Sequence, residues 1–315
     1  MKHTFRLLVA LILTPGIALH AGDNSADAKP APPAKARQSV ADDTPQGKPY
    51  VYKHSAGKPR QMEIYFPPDH DPAKAKVPGL ILFHGGGWGG GTLAQFRVAC
   101  AYFASRGLVC ATAEYQMLTT QEAKQLPPGE TRKRVCITDA KSAIRWFKQQ
   151  SKELGIDPQR IITGGGSAGG HIAVLATINP SLNDSADSKD FDTRVVAYLL
   201  FNPAFALDDS KDTEVDVLRF LKPEFAPAIV FFGTADQWKE GWDIAHARLK
   251  SIGNTTTDLQ LTDGQSHGFF NKDPWRTVTL NAVDRFLVKR GLLAGEPTLT
   301  PPATGEKLVP GSATK

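Results

Sequence analysis

The chain has 315 residues, 41% of them hydrophobic and 22% charged, which is the composition of an ordinary globular protein. The formal net charge is +5, and removing Lys2 and Arg6 leaves +3. That charge is too small and too scattered to indicate a nucleic-acid partner. At the N-terminus, Lys2 and Arg6 flank the apolar run Leu7-Leu8-Val9-Ala10-Leu11-Ile12-Leu13, followed by Pro15-Gly16 and Leu19-His20-Ala21. A basic start, a short apolar centre and a small residue at the cut are the marks of a secretory signal peptide. Residues 1–21 are therefore expected to be removed and the mature chain to be periplasmic or secreted. The run is too short to span a bilayer, so the mature chain is expected to have no membrane span. Residues 22–48 are rich in Ala, Pro, Lys and Asp without apolar periodicity and read as a disordered linker. Residues 49–292 are expected to form one folded domain. Residues 293–315, with Pro297, Pro301, Pro302 and Pro310, read as a disordered tail.

Within the folded part, apolar runs and helical periodicity alternate. Strands are expected at 50–55, 61–66, 79–83, 108–115, 160–164, 195–201, 228–233 and 257–262. Helices are expected at 93–106, 131–151, 168–178, 239–252 and 274–290. This order implies an α/β fold with a mostly parallel central sheet covered by helices on both faces. The segment from about 203 to 225 is the only sizeable insertion and is expected to form at most a small lid.

Three motifs sit at strand ends. The first, His84-Gly85-Gly86-Gly87-Trp88, follows the apolar run 79–83. Glycines let backbone N–H groups approach a developing oxyanion, so Gly86 and Gly87 are assigned as donors, with Ala168 as a third. A phosphate cradle is the competing reading. It is disfavoured because Gly89, Gly90 and Gly91 prolong the loop before any helix begins. The second motif, Gly165-Gly166-Ser167-Ala168-Gly169, stands between a strand and a helix. That is the pattern of a nucleophile elbow, in which glycines two residues either side of the serine relieve the crowding of strand and helix. An ordinary glycine-rich turn would read the same in isolation. The third is a pair of loops: Gly233-Thr234-Ala235-Asp236 after one strand and Gly264-Gln265-Ser266-His267 after the next. A serine nucleophile needs a base and an acid to orient it. After Ser167, His171 is too close in sequence to reach Oγ, and His267, in the loop after the next strand, is the expected base. Asp236 is the expected acid, with Asp243 and Asp263 as competitors. Cys100, Cys110 and Cys136 fall on apolar faces and are expected to be buried thiols, although a disulfide stays open. No Cys/His spacing fits a metal.

These motifs, together with Asp139 to Trp146 and His267-Gly268-Phe269-Phe270, resemble those of the α/β-hydrolase superfamily over about residues 50–292. Within it, the chain is similar to the hormone-sensitive-lipase-like esterases and to bacterial acetyl-esterase and feruloyl-esterase-type enzymes. Two departures stand out. The family usually carries Tyr-Arg where this chain has Tyr115-Gln116, so an ion pair from that position to Asp139 cannot form. The residues after the acid are Gln237-Trp238 instead of Val-Pro.

The resemblance implies a serine carboxylesterase that needs no cofactor and acts through an acyl-enzyme. Aromatic residues crowd the loops, and Trp88, Trp238 and Phe269 are the candidate substrate contacts, with packing under the loops as the alternative for each. Combined with export, this points to a short-chain acyl ester, such as an acetyl group on a carbohydrate. The alternatives are an arylformamidase-like amidase, a serine peptidase disfavoured by the missing propeller domain, and a non-catalytic binding protein on the same fold.

Overall fold

The computed structural model describes residues 45–311. The expected signal peptide, and the expected linker up to residue 44, lie outside the described residues. The described chain opens with a hairpin of β1 (Lys48–Ser55) and β2 (Lys58–Tyr65). Their two-residue turn places Ala56 and Gly57 at φ +50 and +71, the left-handed pair that matches the twist of two antiparallel strands. There follow β3 (Val77–Phe83), α1 (Arg97–Ser105), β4 (Val109–Ala113), α2 (Thr120–Ala123), α3 (Arg132–Gln149) and α4 (Ser151–Leu154). Next come β5 (Ile156–Gly166), α5 (Ala168–Ile178), β6 (Ala197–Phe201), α6 (Val217–Phe220), β7 (Ala228–Gly233) and α7 (Lys239–Ser251). The described chain closes with β8 (Thr257–Thr262), α8 (Trp275–Lys289) and β9 (Val309–Pro310).

The strands form one sheet in the order β1-β2-β4-β3-β5-β6-β7-β8-β9. It is parallel from β4 to β8, with antiparallel pairs at β1/β2, β2/β4 and β8/β9. Alternation along each strand divides the core. Ile81 and Phe83 of β3 face one apolar cluster with Ile144 and Phe147 of α3, Ile172 of α5 and Trp242 of α7. Leu80 and Leu82 face the other, with Cys100 and Phe103 of α1 and Val283 and Leu287 of α8. A two-residue side-chain period in strands buried on both faces produces this division.

The winding direction reverses at β3 and β5: from β3 the chain crosses to β4 on one side, then returns to β5 on the other. Loops leaving the carboxyl ends of β3 and β5 therefore diverge and open a crevice between them, the usual ligand position in such sheets. The glycine loop and Ser167 both lie there.

Two expectations change. First, the tail is ordered through residue 311. Leu292 and Leu293 are buried, Leu299 and Leu308 pack on the α1/α8 cluster, and Asn281 Nδ2 donates to Leu299 O at 2.7 Å. β9 pairs with the β8 edge. The segment shows no apolar period because its anchors are irregularly spaced, and Pro310 is tolerated because an edge residue can dispense with its N–H. Second, the 203–225 insertion is no detached lid. Phe205, Val215, Val217, Leu221 and Phe225 are buried in the main core. Lys133 and Arg134 of α3 pair with Asp209 and Asp212. As expected, no ion pair joins position 116 to Asp139, which takes its cations from elsewhere. Asp139 is buried, and Lys53 Nζ reaches Oδ1 at 2.8 Å and Arg60 Nε reaches Oδ2 at 3.6 Å from the hairpin. The backbone N–H of Gln116 donates to Oδ2 at 2.9 Å. Charge that Gln116 cannot provide comes from β1 and β2. Among the described residues no helix is long and apolar enough to cross a membrane.

Candidate active site

Ser167 joins β5 to α5 with φ 54 and ψ −122, a conformation that costs a non-glycine residue strain and persists only where surroundings enforce it. They do so by close approach. A Cβ on Gly165 or Gly169 would lie 2.3 Å or 1.9 Å from Phe83 O, so neither position admits a side chain. The Ser167 N–H donates to Phe201 O at 2.9 Å, and its carbonyl accepts from Gly170 and Ala204 at 3.0 Å. The turn is thus held by β6 and by the start of the insertion.

Ser167 Oγ lies 2.7 Å from His267 Nε2. His267 Nδ1 lies 2.9 Å from Asp236 Oδ2 and 3.1 Å from Oδ1. A carboxylate only accepts, so Nδ1 carries the proton and Nε2 is left to accept from the serine hydroxyl. Asp236 is buried and its Oδ1 also accepts the Trp238 N–H at 2.9 Å. The competing acids face elsewhere: Asp243 pairs with Lys239 at 2.6 Å, and Asp263 accepts from Thr234 Oγ1 at 3.0 Å. That second contact is part of a stitch between the acid and base loops, which includes Gly264 N to Thr234 Oγ1 at 2.8 Å and Ala235 N to Gln265 O at 3.1 Å.

The glycine loop abuts the elbow. A Cβ on Gly85 would stand 3.1 Å from Ser167 Cβ. Gly86, Gly87 and even Trp88 have positive φ, at 126, 62 and 60. Among the described residues the N–H groups of Gly86, Gly87 and Ala168 donate to no protein atom, which leaves them free for an oxyanion. The loop is braced from behind. Gly85 N–H donates to Gln95 Oε1 at 2.6 Å, and Tyr115 OH donates to His84 O at 2.7 Å with its ring stacked on the imidazole at 4.5 Å. Burial pushes the His84 pKa down to about 4, so the ring is neutral near pH 7, with Nδ1 beside Gly85 O at 2.8 Å.

Trp88 is mostly buried. Its Nε1–H donates to His171 Nδ1 at 3.3 Å, and Lys133 Nζ sits 4.1 Å from its ring centroid. Because Nδ1 of His171 accepts, Nε2 bears the proton and donates to Val215 O at 3.0 Å, with Asp209 Oδ2 at 3.2 Å. Burial raises the Asp209 pKa, but the bonds from His171 and Lys133 outweigh it and hold the carboxyl below its usual range. Glycine loop, elbow helix and insertion are locked by this chain of contacts.

The structure therefore brings Ser167, His267, Asp236, Gly86, Gly87 and Ala168 together. The three aromatic candidates divide. Trp238 is half-buried, its ring 6.4 Å from the His267 ring. Trp88 borders an open pocket shared with Arg132, Lys133, Asp208 and Asp212. Phe269 is corrected to a packing residue: it is buried against Phe270 and Trp275, because the short helical turn after Gly268 directs it inward. Sequence reasoning missed Asn202, whose Nδ2 donates to Asp236 Oδ2 at 2.6 Å. A polar residue at the carboxyl end of a buried parallel strand next to the crevice was the available signal.

Comparison with known proteins agrees with this geometry. The family described as BD-FAE matches residues 62–202. A carboxylesterase of Mycobacterium tuberculosis, NlhH, is 32% identical over 243 residues, covering 67% of this chain and 71% of that protein. An ethyl acetate hydrolase of Pseudomonas putida is 33% identical over 114 residues, 36% of this chain and 33% of that protein. Among solved structures, esterase 2 of Thermogutta terrifontis superimposes with a TM-score of 0.72 at 33% identity, covering 81% of this chain and 98% of that one. It has also been solved with propionate bound and with butyrate bound.

Proposed function

The chain belongs to the α/β-hydrolase carboxylesterases, and from that premise we propose that it is an exported enzyme hydrolysing short-chain acyl esters through an acyl-enzyme on Ser167. The observation that carries this reading is the contact of Ser167 Oγ with His267 Nε2 at 2.7 Å, backed by Asp236 on Nδ1. As Oγ attacks the ester carbonyl carbon, His267 Nε2 takes its proton and the Asp236 carboxylate stabilises the imidazolium. The carbonyl oxygen becomes an oxyanion beside the N–H groups of Gly86, Gly87 and Ala168. The C–O bond to the alcohol then breaks as His267 returns the proton to the leaving oxygen. Water repeats the sequence on the acyl-enzyme and releases the acid.

A small acyl group is supported by two considerations. The 203–225 insertion is packed into the core, so it builds no deep apolar tunnel. The related Thermogutta esterase holds propionate and butyrate. A carbohydrate as the alcohol fits the half-buried Trp238 beside the base, where a ring face can stack on a sugar. Export rests on the Lys2–Ala21 pattern and is read directly by sequencing the N-terminus of the protein recovered outside the cytoplasm.

The deciding experiment is an acyl-length series of p-nitrophenyl esters with Ser167→Ala as the control. Activity should peak at acetyl to butyryl and fall steeply by decanoyl, since each extra methylene contributes its ~0.8 kcal/mol only where a pocket receives it. Ser167→Ala should lose about 10³-fold or more in kcat and all labelling by a fluorophosphonate. A maximum at octanoyl or longer would replace the short-chain reading with a lipase-like one. Faster turnover of formanilide than of acetate esters would make the enzyme an amidase.

A further inference from the structure

Asn202 stands one residue beyond β6, fully buried, with φ +49. Asparagine is among the few residues that enter the left-handed region at modest cost. Here that conformation makes a three-way junction. The carbonyl of Phe201 accepts the Ser167 N–H at 2.9 Å, and the Asn202 N–H donates to Phe231 O at 2.9 Å. The Asn202 side chain crosses to the acid loop, Nδ2 lying 2.6 Å from Asp236 Oδ2. The amide can face the carboxylate only through its NH₂, since both carboxylate oxygens are acceptors. Two consecutive residues thus hold the nucleophile by backbone and the acid by side chain.

Resting on the assignment of Ser167, His267 and Asp236 as the catalytic groups, we infer that Asn202 is a positioning residue that clamps the Asp236 carboxylate toward His267. The carboxylate has one soft torsion. The Trp238 N–H holds Oδ1 and Asn202 holds Oδ2, so its plane is fixed from both sides with Oδ2 turned to His267 Nδ1. The amide also shares the negative charge, which moderates how strongly Asp236 favours the imidazolium. Among the described residues, the titratable group bonded to His267 is Asp236, with the Ser167 hydroxyl on Nε2. Asp263 in its own loop is bonded to Thr234, and Lys239 and Asp243 on α7 pair with each other.

The test compares Asn202→Ala and Asn202→Leu with wild type on p-nitrophenyl acetate across pH, with active sites counted by a fluorophosphonate burst. Per active site, Asn202→Ala should lower kcat about tenfold or more while KM stays within about twofold. With the sharing donor removed, the acid-side midpoint of kcat/KM should rise by about half a pH unit. Asn202→Leu, which keeps the bulk but has no donor, should raise it by a similar amount. A residue that only fills space would reduce the number of active sites and leave that midpoint in place. If Asn202→Ala fails to fold, Asn202→Leu decides alone, and an unmoved midpoint in it overturns the inference. Asp236→Asn run in parallel separates the two levels. Should it abolish turnover while Asn202→Leu keeps the wild-type midpoint, the clamp is overturned and the catalytic assignment stands. Should Asp236→Asn leave turnover intact, both are overturned.

Discussion

At the scale of single residues, three aspartates compete for one role, and the structure separates them by what each already holds. Asp243 is taken by Lys239 and Asp263 by Thr234, while Asp236 faces the imidazole. Asp236→Asn should therefore cost on the order of 10⁴ in kcat near neutral pH, by analogy with other triads in which the amide stabilises the wrong tautomer. Asp243→Asn and Asp263→Asn should each cost little, and a larger loss at either would reassign the acid. His84 gives a different kind of prediction. Its folded pKa is about 4 against 6.5 when unperturbed, because burial opposes the charged ring. The folded state therefore binds fewer protons between those values, and stability is full above pH 6.5 and is lost as pH falls toward 4. The loss amounts to about 3 kcal/mol across the whole window. His84→Asn removes the titration while keeping a donor for Gly85 O. Its melting temperature should fall less than that of wild type between pH 7 and pH 5, and equal falls would show that His84 does not titrate there.

At the scale of elements, the carboxyl-terminal segment contradicts its composition. It carries no period that a packed element would need, yet it covers the edge of β8 with β9 and seals the α1/α8 face with Leu299 and Leu308. Arg106 reinforces it by donating to Ala294 O and Gly295 O at 3.0 and 3.2 Å. An uncovered edge strand is a template for association. Deleting residues 294–315 should therefore cost about 2 kcal/mol of burial, lower the melting temperature by about 4–8 °C, and promote aggregation seen by light scattering. An unchanged melting curve would mean the segment is only laid on the surface. The elbow and the glycine loop are legible in the sequence, because close approach of backbone leaves its signature as glycine. The bracing around them was not: Gln95 to Gly85, Tyr115 to His84 and Trp88 to His171 link residues whose types carry no signal of partnership.

At the scale of the whole molecule, the two-sided core decides the fate of the cysteines. Cys100 and Cys110 belong to the α1/α8 face and Cys136 to the opposite one, and all three are free and buried, with burial pushing each thiol pKa up. A thiol reagent should find none of them in the native enzyme and three after denaturation, and reductant should not change the melting temperature. A titre of one would reveal a disulfide. The alternation of strands and helices, the parallel sheet, and the strand-end positions of the glycine loop, Ser167, Asp236 and His267 are all written in the order of residues. These rest on apolar period and on local steric demand, which neighbouring residues express directly. That Asp139 draws its cations from Lys53 and Arg60, that Phe269 turns inward, that the insertion is locked through His171, Asp209 and Lys133, and that Asn202 grips Asp236 emerges from the folded chain alone. Each of these depends on where distant segments meet. A hydrogen bond or ion pair constrains distance in space, and it leaves no periodicity along the chain from which it could have been read.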